Sequence, residues 1–138
     1  KLGSVDNNGS IETYNASGNL IIGITSSVDG EGAINTYNAN EKQIIRLGST
    51  TDGEGTVTTF DSDGKQIVQI SSTVNGEGSV STYNNEGYEI VKLTSTTNGD
   101  GYISTSNHEG IEMVQLSSTS KGKGVISTFL IKEKDKKK

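Results

Sequence analysis

The sequence contains no cysteine, no proline and no tryptophan, and only 5% of its residues are aromatic. Without cysteine there is neither a disulfide framework nor a thiolate metal site. Apolar residues are scarce as well, at 29% of 138, fewer than a compact globule of this length normally carries. Low hydrophobicity also marks disorder. Here, however, the apolar residues are mostly β-branched and regularly spaced, which disorder does not require. An elongated β structure with a thin core fits better. No apolar run approaches the length of a membrane span and no signal peptide is visible, so membrane insertion is not expected. The chain opens on Lys1 rather than Met, which reads as a processed chain or a piece of a longer one.

What the chain does have is a period. Gly9, Gly32, Gly55, Gly78, Gly101 and Gly124 recur every 23 residues, as do Thr13, Thr36, Thr59, Thr82, Thr105 and Thr128. Apolar rows keep the same step: Ile11, Ile34, Val57, Val80, Ile103 and Ile126; Ile22, Ile45, Val68, Val91 and Val114; Ile24, Leu47, Ile70, Leu93 and Leu116. An aromatic row runs through Tyr14, Tyr37, Phe60, Tyr83 and Phe129 and is broken once, by Ser106. No insertion disturbs the register from Gly9 to Phe129. The expected organisation is therefore a six-unit β-repeat rod over residues 1–131, then a tail, 132–138. The tail carries five Lys, one Glu and one Asp, a net of +3 against −5 for the whole chain, which leaves −8 on the body. We expect it to be a solvated, disordered terminus.

Within a unit the pattern is strand, turn, strand. Gly55–Phe60 and Gln66–Thr73 are rich in Val, Ile, Thr and Phe, which suit a pleated surface. The turns between such strands end in Gly18, Gly64, Gly87 and Gly110, with Asn40-Glu41 at the second position in the series. Asp63-Gly64 suggests a two-residue hairpin turn, in which both central residues need positive φ. The other junction carries Gly30, Gly53, Gly76, Gly99 and Gly122, each preceded by two residues, as expected of a three-residue loop ending in a left-handed glycine. With those turns, Ile34 faces Leu47, Thr36 faces Ile45 and Tyr37 faces Ile44. Leu47 faces Val57 across the other junction. The strands come out nine residues long.

The expected fold is all-β: a single-layer meander of hairpins. A face made of Ile34, Leu47, Val57, Ile70, Val80, Leu93, Ile103 and Leu116 would be left wet in a monomer, and apolar stripes of that length are unusual on one. Self-association as a homotrimeric prism or a filament would cover it. The rival is a parallel β-solenoid with one 23-residue coil per unit, which covers its own core.

Catalysis finds little support, and no cofactor is expected. The lone histidine, His108, takes a turn position that is Asn85, Ser62 or Ala39 in other units, whereas an active site needs a convergent, non-repeating constellation. The acidic body disfavours nucleic acid. Calcium is the ligand to weigh. Asp29 and Glu31, Asp52 and Glu54, Asn75 and Glu77, and Asn98 and Asp100 place oxygens two residues apart between glycines. Calcium takes six or more oxygens, so adjacent loops would have to share an ion. The last loop offers Lys121 and Lys123, which repel one. Turn chemistry alone accounts for Asp or Asn before a left-handed glycine. No metal site is therefore expected. The ring row suits a surface glycan as an alternative partner, or cross-strand packing.

The unit GEGTVTTFDSDGKQIVQISST resembles tandem repeats of large bacterial surface proteins and of phage tail-fibre shafts. Its hairpin period is also similar to the single-layer sheet of spirochaete outer-surface lipoproteins, without their lysine richness. The resemblance implies a trimeric or filamentous β-rod, extracellular or on a virion, that spaces or displays other domains. It implies no functional residues.

Overall fold

A computed structural model describes residues 2–5, 8–26, 31–49, 53–73 and 75–129. The strands are β1 (Leu2–Val5), β2 (Asn8–Tyr14), β3 (Leu20–Ser26), β4 (Gly32–Tyr37), β5 (Gln43–Ser49), β6 (Gly55–Phe60), β7 (Gln66–Ser72), β8 (Gly78–Tyr83), β9 (Glu89–Ser95), β10 (Gly101–Ser106), β11 (Glu112–Ser118) and β12 (Gly124–Thr128). They form one open sheet in strict chain order, and every described pair is antiparallel. The all-β hairpin meander is therefore the fold. Coil-on-coil parallel stacking is not: each strand pairs with its chain neighbour, not with its equivalent one period away.

The expected register holds through the middle of each strand. Ile34 faces Leu47 and Thr36 faces Ile45. Across the next junction Leu47 faces Val57 and Ile45 faces Thr59. The turn between β4 and β5 differs from expectation. The Glu41 amide donates to the Asn38 carbonyl at 3.0 Å, and the Asn38 amide to the Lys42 carbonyl at 2.9 Å. That is a three-residue loop with one left-handed residue, the same device used at the opposite junction, where the Gly76 amide donates to Thr73 and the Gly99 amide to Thr96. Only one residue per turn takes positive φ: Gly18, Gly64, Gly87 and Gly110 at 77–88°, and Glu41 at 59°. A two-residue turn requires two such residues. Ser17, Asn40, Asp63, Glu86 and Glu109 are spared that conformation.

The longer loop shifts the pairing by one next to it. Tyr37 faces Gln43, not Ile44. A bulge between Thr36 and Tyr37 then restores the register, leaving Ile44 as the extra residue. The same correction recurs in unit after unit, with Phe60 opposite Gln66, Tyr83 opposite Glu89, and Ser106 opposite Glu112. Loop and bulge use residues assigned above to the strands, and β2 to β11 are six or seven residues long rather than nine.

Of the turn glycines of the second junction, Gly53, Gly76, Gly99 and Gly122 have the expected positive φ, and Gly30 lies outside the described residues. So do Asp29, Asp52, Leu130, Ile131 and the whole tail 132–138.

Candidate functional site: an uncovered sheet face

Alternation sends the rows to two unlike faces. One face carries three rows: a central one of Ile24, Ile34, Leu47, Val57, Ile70, Val80, Leu93, Ile103 and Leu116, then Thr alternating with Ile or Val, then Ser alternating with Gly. No charged residue interrupts them. Among the described residues no apolar side chain is buried. Ile70 is 48% exposed, Leu93 43%, and Ile126, at the sheet's last strand, 73%. The hydrophobic effect that normally drives folding is thus only half used within the chain. Shallow apolar grooves open beside the glycines, one framed by Leu47, Val57 and Ile70, another by Leu93, Ile103 and Leu116.

The other face is polar and internally bonded. The Gln43 amide donates to the Asn35 side-chain oxygen at 2.5 Å, and the Ser81 hydroxyl to Glu89 at 2.7 Å. Lys92 pairs with Glu89 at 3.4 Å. The Tyr102 hydroxyl donates to Glu112, and partial burial followed by that bond pushes its phenol above the usual tyrosine range. Small residues sit low between these long side chains, so Ser10, Thr58, Ser81 and Ser104 are the buried ones among the described residues. The rings of Tyr14, Tyr37, Phe60 and Tyr83 stand here too, alternating with Leu20, Gln43, Gln66 and Glu89.

A third feature, missed in the sequence, runs along one edge. Asn15, Asn38, Asp61, Asn84 and Asn107 open the five turns of this edge. Each side-chain oxygen accepts two amides of its own loop; for Asn38 these are the amides of Asn40 and Lys42, at 2.9 and 3.0 Å. The turns are also tied to one another. Asn19 donates to the carbonyl of Ala39, Asn38 to Ser62, Lys65 to Asn85, and Asn84 to His108, at 2.8–3.3 Å. Four bonds thus link five turns in one chain. Asp61 has no side-chain donor, and the Lys65 ammonium, four residues on, makes the bond instead. The signal was present as Asn or Asp every 23 residues in a turn-forming position. His108 contributes its backbone to this ladder, while its imidazole is exposed.

Of the calcium candidates, Glu31, Glu54, Asn75, Glu77, Asn98 and Asp100 are described. Glu77 accepts a hydrogen bond from the Ser95 hydroxyl, and Asn75 and Asn98 are exposed turn residues. Among the described residues no three His, Asp or Glu side chains gather as a metal site would need. No protein-family model matches the chain, and no curated protein matches it.

Proposed function

We propose that the chain is a mechanical β-rod: a non-catalytic repeat segment of an extracellular or virion fibre or stalk. The observation that carries this reading is the edge ladder, in which a side-chain donor of each turn bonds a backbone carbonyl of the next. Spacing of neighbours is what such a device fixes. Twelve strands with eleven spacings of about 4.8 Å make a stack of roughly 53 Å. Stability then adds up from hairpin to hairpin, as in other repeat proteins. The likeness of the repeat unit to surface-protein and tail-fibre repeats supports the placement outside the cell.

Deleting one unit, 55–77, tests it. Small-angle scattering should give a stack shorter by about 10 Å, two strand spacings, with the β circular-dichroism signal retained per residue. A variant that no longer folds would refute the modular rod.

A second reading is an adhesion module for surface glycan. It is favoured by the rings that alternate with Gln and Glu on the polar face, a platform that stacks and hydrogen-bonds at once. Glycan-array binding that disappears with Tyr37→Ala and Phe60→Ala would establish it. An array with no signal would leave the rod alone.

A further inference from the structure

We propose that the apolar face is closed by the same face of further copies of this chain, three around a common axis, with parallel stacking directions and units in register. This deepens the rod reading but stands on different observations, since the ladder lies on an edge and the face does not use it. A sheet with no buried apolar side chain among its described residues has not completed its burial. Something must remove Leu47, Val57, Ile70, Val80, Leu93 and Ile103 from water.

Area, charge and period identify the occupant. Three rows roughly 7 Å apart over roughly 53 Å of sheet offer on the order of 700–1,000 Å², close to the ~800 Å² per partner of a stable complex. The rows carry no charge, so a lipid headgroup or an acidic or basic partner finds no counterpart there. The face also has a beat: Thr alternates with Ile or Val on successive strands, every unit alike. Only a partner with the same period meets it rung for rung along its length, and this chain is such a partner. Rotation about the stacking direction sets each unit beside its own equivalent.

The taper argues for three. Side chains are bulky in the central row and shrink to Ser and Gly at one edge. Three walls closing on an axis are furthest apart at their middles and converge at the corners, where rotation sets the Ser/Gly edge of one wall against the bulkier Thr/Ile/Val edge of the next. A two-layer sandwich keeps a constant gap of about 10 Å and would leave the Ser/Gly edge underfilled.

The test is mass by light scattering, with the triple variant Ile70→Thr, Leu93→Thr and Ile103→Thr as its partner experiment. Thr already occupies neighbouring rungs and keeps strand propensity. The chain should weigh three copies, and the variant one, with its β signal intact. A two-copy mass would overturn the three-fold closure, and a monomeric parent would overturn self-closure altogether. If the variant does not fold, cysteine cross-linking in the otherwise cysteine-free chain decides. Ile34→Cys alone should form disulfide-linked pairs. Linkage only between Ile34→Cys and Leu93→Cys chains would mean reversed stacking and would refute the register.

Discussion

Lys92 and Leu93 are neighbours in β9, yet they stand on opposite faces with opposite tasks. Lys92 lies on a face whose polar groups bond to one another, pairing with Glu89 at 3.4 Å. Leu93 lies on a face whose apolar groups have no second layer to pack on, and it is 43% exposed. One face is finished within the chain and the other is not. The same backbone, with the same antiparallel ladder, supports both. Pairing of strands is therefore not what the apolar rows are for: the polar rows pair equally well. In the proposed self-closure, the apolar rows supply what the hydrogen-bond ladder lacks, a reason for sheets to come together.

The largest expected effect comes from inverting a single rung. Leu93→Lys should cost about 2–3 kcal/mol of lost burial, with the desolvation of the ammonium on top, provided the face is covered. Lys92→Leu should cost less than about 0.5 kcal/mol, because exposed ion pairs contribute little. Thermal unfolding of both variants with simultaneous light scattering checks this. Equal small shifts for the two would mean that the faces are equivalent and that nothing covers either.

Next in size is the edge, which belongs to neither face. Asn84→Ala removes two bonds that its oxygen accepts from Glu86 and Tyr88 and one that its amide donates to His108. Asn84→Asp removes only the last. Expected losses are about 2 kcal/mol for alanine and about 1 kcal/mol for aspartate, read from denaturant midpoints. If aspartate costs nothing, the link between hairpins is ornamental and the rod reading loses its support. Asp61 shows how the chain itself handles this case, with Lys65 reaching Asn85. Lys65→Ala should therefore be felt more in the parent than beside Asp61→Asn, which restores a donor.

These examples also show what was legible in the sequence. The period fixed strand number, face and central register, because side-chain alternation allows no one-residue slip when one face is uniformly apolar. Ile34 opposite Leu47 follows from that alone. The turn type did not follow, since Asp-Gly serves a two-residue turn and also the end of a three-residue one. The deciding fact, one left-handed residue rather than two, is a property of the backbone. Ile44 was misplaced for the same reason: a bulge moves residues without leaving a mark in the apolar pattern. The Asn ladder was visible as a row but not as a bond, because its partners are carbonyls, which every residue has.

Glu41 follows from that turn. Among the described residues it is the non-glycine residue at positive φ, in a place that is Gly18, Gly64, Gly87 and Gly110 elsewhere. A side chain there costs roughly 1–2 kcal/mol. Glu41→Gly should recover about 1 kcal/mol, less a part lost to the freer unfolded chain. The gain should appear in the unfolding midpoint and leave the oligomeric mass unchanged, because the turn touches neither face. A destabilised Glu41→Gly would mean that the glutamate makes a contact worth more than its strain.

The smallest effect separates the polar face from the rest by pH. Burial, and then the Glu112 carboxylate, raise the Tyr102 phenol above the usual tyrosine range, so the folded chain holds that proton more tightly than the unfolded one. The sign follows from linkage. Tyr102 contributes its stability below the unfolded pKa and loses it as pH rises through the higher folded value. Tyr102→Phe should therefore leave stability near neutrality almost unchanged and flatten its decline on the alkaline side. Tyrosinate absorbance of the parent should show two rings ionising late, Tyr102 and Tyr14, whose hydroxyl donates to Glu12, and Tyr102→Phe should remove one of them. If the phenylalanine variant declined as steeply as the parent, the Tyr102–Glu112 bond would contribute nothing, and the polar face would owe its order to the strands beneath it and not to its own network.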